Sequence, residues 1–102
     1  MNIFDETKKC YNISGHARTR LAERNKVPFD KSEGKAIELI NDGKLLLETD
    51  KFRYVKNGNL FFPLKKDTSD TNEYTLTTVL LYDSMVEKRF QQIVDIYHEN
   101  AN

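Results

Sequence analysis

Lys51-Phe-Arg-Tyr-Val-Lys-Asn-Gly-Asn-Leu-Phe-Phe-Pro-Leu64 is the stretch whose pattern decides the fold class. Its two arms, 51–56 and 59–64, are rich in the aromatic and β-branched residues that fit a pleated, half-buried surface. Between them stands Asn57-Gly58, the strongest hairpin signal in the chain. A type I′ turn needs positive φ at both central positions, and Asn and Gly accept it. Two antiparallel strands are therefore expected here. Pro63 has no amide to donate, which predicts a strand end or a sheet edge for it.

Upstream of the hairpin, Lys44-Leu-Leu-Leu-Glu-Thr49 is a short apolar run that reads as another strand. Downstream, 65–73 is polar throughout and reads as a loop, either a plain connection or a flap over a site. Tyr74-Thr-Leu-Thr-Thr-Val-Leu-Leu-Tyr82 is the longest strand candidate and is expected at the centre of the sheet.

Helix signals flank this β-rich middle. Ser14 is a good N-cap, and nothing after Gly15 breaks a helix until Asn25 and Pro28. Asp30-Lys-Ser-Glu33 reads as a capping box for a second helix over about 31–41, buried through Ala36, Ile37 and Ile40 and stopped by Gly43. Ser84-Met-Val-Glu87 reads as a second capping box, with Val86, Phe90, Ile93, Val94 and Tyr97 at helical spacing as far as about 98. Residues 1–13 carry Ile3, Phe4, Tyr11 and Ile13 as core anchors without a clear secondary structure. The expected architecture is α+β in one domain over residues 1–102: two N-terminal helices, a three- to four-stranded antiparallel meander sheet, and a C-terminal helix.

Composition sets limits on function. Sixteen basic residues balance sixteen acidic ones, so general electrostatic attraction to nucleic acid is absent and any such binding needs a local patch. The single cysteine, Cys10, rules out an intramolecular disulfide and suggests a reducing compartment. No apolar run approaches the roughly 18 residues of a membrane span, and the first residues lack the apolar core of a signal peptide. A cytoplasmic location with no membrane partner is the expectation. The two histidines and one cysteine lack zinc-site spacing, so no metal is expected. The four glycines are scattered, so no nucleotide cofactor is expected either.

The chemistry gathers on the first helix. At about 100° per residue, His16, Arg20 and Arg24 fall on one strip beside the apolar pair Ala17 and Leu21, while Arg18 points to the opposite flank. A solvated basic face paired to carboxylates is one explanation of such a strip. Glu23 is the only acidic residue within the segment, however, which favours a site for an anion. Strand hydroxyls at Thr77 and Thr78 and hairpin residues Arg53, Tyr54 and Lys65 complete the set. These groups suit cleavage of RNA through attack by its own 2′-hydroxyl. That reaction needs a proton acceptor, a proton donor, and fixed positive charge where the phosphorane becomes negative.

His16-Ala17-x-x-Arg20-x-x-x-Arg24, a capped second helix and a Thr-bearing strand together resemble a family of small bacterial and phage domains of uncharacterised function. That family is marked by an H-A-x-x-R-x-x-x-R first helix. It is in turn similar to the RelE-like and colicin-like toxin ribonucleases, which place helices ahead of a four-stranded antiparallel sheet. The resemblance spans about residues 13–81. It implies His16, Arg20, Arg24 and Thr78 as catalytic residues, Arg53, Tyr54, Thr77 and Lys65 as substrate-binding residues, no cofactor, and RNA as partner. The helix after Ser84 and the zero net charge depart from the pattern. They support the alternative, a non-catalytic interaction module that binds a partner or inhibitor protein with the same fold.

Overall fold

The computed structural model describes residues 10–67 and 72–100. Six strands and three helices follow in the order β1 (Cys10–Ile13), α1 (Gly15–Asn25), α2 (Ser32–Asp42), β2 (Lys44–Glu48), β3 (Phe52–Asn57), β4 (Leu60–Lys66), β5 (Glu73–Leu76), β6 (Leu80–Leu81) and α3 (Ser84–Asn100). A 3₁₀ turn at Phe29–Lys31 leads into α2. The α+β class agrees with the sequence reading, with helices ahead of and behind the strands. Ile3 and Phe4, and the middle of the polar 65–73 segment, lie outside the described residues.

The sheet is larger than the expected meander, and it is mixed. Its order is β1-β5-β4-β3-β2, with β6 beside the start of β4. All pairs are antiparallel except β1–β5, which is parallel and sets Cys10 against Glu73 and Ile13 against Leu76. The fifth strand of the path comes from 10–13, a segment too short to show an alternation in sequence. The α1–α2 pair is thus the crossover that carries the chain from one edge of the sheet to the other.

The hairpin forms, one residue out of the expected place. Asn57 pairs with Leu60, so the central turn residues are Gly58 and Asn59. Only Gly58 has positive φ, at 59°, which is the II′ pattern rather than I′. Asn57 instead spends its amide on the Leu39 carbonyl, at 2.9 Å, and so ties the hairpin to α2.

The 74–82 run is not the central strand, nor is it continuous. That place belongs to β4, and the run is broken at 77–79 between β5 and β6. Leu64 pairs with Leu76 and Phe61 with Leu80, so two residues of β4 oppose three on the broken strand. This is a bulge, and it falls opposite Pro63. Pro63 therefore sits neither at an edge nor at a strand end. It stands inside the central strand, where the neighbouring ladder is already interrupted and asks for no donor.

Both expected capping boxes differ. At α2 no side chain caps the helix; Ser32 Oγ instead donates to the Phe29 carbonyl at 2.6 Å, because the 3₁₀ turn occupies the place of the box. At α3 the cap is Asp83, whose Oδ1 accepts from the Val86 amide at 2.9 Å, one residue before the expected Ser84. Ser14 caps α1 as read, accepting from the Ala17 amide at 3.1 Å.

The two faces of the sheet carry separate cores. Along β4, Leu60, Phe62 and Leu64 join Ala17 and Leu21 of α1 and Ala36 and Ile40 of α2. The alternate residue Phe61 joins Tyr54 and Phe90 under α3. Period-two alternation of a strand apolar on both sides produces this division. No helix among the described residues is long and apolar enough to cross a membrane.

Candidate active site on the first helix

Helix α1 is fastened at both of its ends to the break between β5 and β6. At its start, the Ser14 amide donates to the Leu76 carbonyl at 3.0 Å and Ser14 Oγ to the Thr77 carbonyl at 3.2 Å. At its end, Arg24 Nε donates to the Val79 carbonyl at 3.0 Å. Ala17 and Leu21 are fully buried between these ties, which sets the rotation of the helix. His16 and Arg20 consequently face solvent, and Arg24 lies half-buried.

The bulge has a direct effect on the hydroxyls. Because 77–79 leave the ladder, their carbonyls are free to accept from Ser14 and Arg24. Thr77 is exposed and Thr78 half-buried on the same short segment. His16, Arg20, Arg24, Thr77 and Thr78 thus belong to two pieces of chain bonded directly to each other.

Charge on α1 is only lightly compensated. Arg20 lies 3.6 Å from Glu23 with both side chains well exposed, a contact worth little in solution. His16 has no partner among the described residues. Arg24 has one bond, through Nε, so its two terminal nitrogens remain available as the fork that holds two oxygens of a phosphate.

The hairpin residues are placed elsewhere. Arg53 shares a register row with Leu64 and Leu76, two strands or about 9–10 Å from β5. Its guanidinium is held by Glu48 at 2.6 Å. Glu48 Oε2 in turn accepts from the Tyr74 hydroxyl at 2.9 Å. Burial first, and then that carboxylate, push the Tyr74 phenol up to about 12. Tyr54 is buried on the opposite face of the sheet, stacked on Phe61 with ring centroids 5.9 Å apart, and burial raises its pKa. Lys65 pairs with Phe52 and points to that same opposite face, exposed.

Two features have no signal in the sequence strip. Arg18, on the other flank of α1, lays its guanidinium 4.8 Å from the Phe29 ring centre, with its Nε buried and unbonded. Glu48, Arg53 and Tyr74 meet through strand pairings that no local motif encodes. Among the described residues no group of three or more His, Cys, Asp or Glu side chains is placed to hold a metal ion. No family model matches this chain, and no curated protein or solved structure is significantly similar to it.

Proposed function

We propose that this protein is a metal-independent endoribonuclease that cleaves RNA through attack of the 2′-hydroxyl on the adjacent phosphate. The observation that carries this reading is the double fastening of α1 to the Leu76–Val79 segment. It joins the helix that carries an exposed imidazole and two guanidiniums to the segment that carries two threonines, without spending the imidazole on the fold.

In this reading His16 accepts the proton of the 2′-hydroxyl as that oxygen bonds to phosphorus, and the 5′-oxygen takes a proton from solvent as its bond to phosphorus breaks. Arg20 and Arg24 hold the non-bridging phosphate oxygens and take up the charge that grows on the phosphorane. Thr78, with Thr77 beside it, donates to an oxygen of the same group. The reading follows what the first helix implies through its resemblance to the small bacterial and phage domains of uncharacterised function, which are in turn similar to toxin ribonucleases. A cytoplasmic RNA is the substrate class.

The test is cleavage of diverse RNAs by purified protein in EDTA. Products should end in 2′,3′-cyclic phosphate, and a 2′-deoxy sugar at the scissile position should stop the reaction. His16→Ala should lower the rate by roughly 10²–10⁴-fold. Arg20→Lys should also lose rate, since a point charge does not replace a bidentate fork. Neither change should move the melting temperature much, because both side chains are exposed. A wild-type protein inert on every RNA, or a His16→Ala protein as active as wild type, would end this reading. The second reading, a non-catalytic module that binds a protein, is favoured by the apolar surface of α3.

A further inference from the structure

The face of the sheet away from α1 is left unfinished. Between α3 and the sheet lies an open cavity of about 470 Å³, floored by Phe52, Phe61, Pro63 and Leu80 and walled by α3. Helix α3 closes it only in part. At about 100° per residue its apolar side chains cover about half of the circumference, from Met85 and Ile96 through Ile93 to Phe90 and Val94. The half centred on Phe90 packs on the sheet, together with Val86 and Val94. The other half is exposed: Met85 is 65% open and Ile96 57%, with Ile93 beside them. Ridge and groove thus lie next to each other on one face of one molecule.

The charges along α3 say what covers this face. Lys88 and Arg89 lie in the first half of the helix, Asp95 and Glu99 in the second. Lys88, Asp95 and Glu99 lie along one side of the Met85–Ile96 strip, and Arg89 on the other, beside the cavity. Lys88, Arg89 and Glu99 have no ion pair among the described residues, and Asp95 is bonded only to the neutral Gln91 amide, at 3.0 Å. Two such helices laid antiparallel bring cations against anions at both ends. Laid parallel, they oppose like charges.

We propose that this face is a symmetric interface between two copies of the chain. The two α3 helices run antiparallel about a two-fold axis near Ile93, and the exposed strip of each sits against the groove of the other. A two-fold makes every contact twice, so one ridge and one groove suffice. Lys88 of one copy meets Asp95 and Glu99 of its partner and fixes the direction of packing. Equal numbers of basic and acidic residues leave no long-range repulsion between the copies. The interface lies across the sheet from His16 and leaves that helix open. The inference does not depend on the ribonuclease reading.

Sedimentation equilibrium of the full chain over a wide concentration range tests it. The mass should rise from one chain to two, and Met85→Asp/Ile96→Asp should weaken the association by roughly 10²-fold or more, as loss of buried apolar anchors does. Lys88→Glu and Asp95→Lys/Glu99→Lys should each remain single chains. An equimolar mixture of the two should recover the dimer, which a merely damaged fold cannot do. Circular dichroism establishes that each variant is folded; should a charge variant unfold, the Met85/Ile96 pair carries the test alone. Wild-type protein at single-chain mass up to the highest concentration overturns the proposal. So does a mixture of folded charge variants that fails to associate, or a Met85→Asp/Ile96→Asp protein that dimerises like wild type.

Discussion

On the α1–α2 side of the sheet, Ala17, Leu21, Ala36, Phe62, Leu64, Leu76 and Val79 have no exposed surface at all. On the α3 side, only Tyr54, Phe61 and Phe90 are buried among the described residues, and a cavity opens beside them. Both faces are served by the same strands. What differs is the cover. Two helices bearing alanine at their contact positions approach the first face closely and fill it, whereas one helix with long apolar side chains stands over the second. Density of packing is thus a property of the elements facing the sheet, not of the sheet itself. The closed face is the one that holds α1 in a fixed rotation. The open face has surface left for association.

The largest expected effect tests this contrast directly. Phe62→Ala removes a fully buried ring from the closed face and should cost about 3–5 kcal/mol, much of the stability of a small domain. Phe90→Ala removes the same group beside an existing cavity, where neighbours already lack contacts, and should fall at or below the lower end of that range. Urea denaturation of both variants measures the difference. A cost for Phe90→Ala equal to that for Phe62→Ala would mean that the two faces are packed alike.

Next in size is the polar cluster that borders the closed face. Tyr74→Phe removes the bond to the Glu48 carboxylate and should cost about 1.5–3 kcal/mol. Its dependence on pH has a definite sign. An unfolded tyrosine ionises near pH 10, whereas Tyr74 is pushed up to about 12 by burial and by Glu48. Between those values the native chain keeps a proton that the unfolded chain has lost, so stability falls as pH rises. Below pH 10 the contribution is complete. The gap in stability between wild type and Tyr74→Phe should therefore close from pH 10 upward. A gap that stays constant through pH 12 would show that the phenol is not the group responsible.

Gly43 tests how tightly α2 is seated. A Cβ there would lie 2.6 Å from Val55 Cγ1 and 3.0 Å from the Leu39 and Lys56 carbonyl oxygens. The obstacle is crowding rather than backbone angle, since φ is −79°. Gly43→Ala should destabilise by about 1–3 kcal/mol in thermal unfolding, the usual effect of overpacking. A neutral substitution would mean that the closed face yields more readily than its burial suggests.

How much of this was legible in the sequence follows from range. Helix α1, its Ser14 cap and the paired arms of the hairpin rest on signals within a few residues, and all three are present in the structure. The strand at Cys10–Ile13 is four residues long and gains its identity only by pairing with β5, more than sixty residues away. The bulge at 77–79 is likewise invisible in Thr-Leu-Thr-Thr-Val, because its cause is Pro63 on the neighbouring strand. Of the candidate site, the strip of His16, Arg20 and Arg24 could be read from helical spacing. The carbonyls that fix it could not, and neither could the capture of Arg53 by Glu48, which depends on strand register.

The smallest expected effect compares the caps of the helices that serve the two faces. Ser14 and Asp83 each accept from an amide three residues on, Ala17 and Val86 respectively. Loss of such a bond costs about 1 kcal/mol. Ser14 has a second task that Asp83 lacks: its hydroxyl donates to the Thr77 carbonyl and holds α1 to the bulge. Ser14→Ala should therefore cost more than Asp83→Ala in thermal unfolding. It should also loosen the registry of His16 against Thr77 and Thr78, and with it any RNA cleavage, in proportion greater than its loss of stability. Asp83→Ala should fray only the first turn of α3 and leave cleavage unchanged. Ser84→Ala should do almost nothing, since Ser84 is not the cap despite standing where a capping box reads. Equal costs for Ser14→Ala and Asp83→Ala, with cleavage unaffected by either, would mean that the tie at Thr77 contributes nothing and that α1 is held by its apolar face alone.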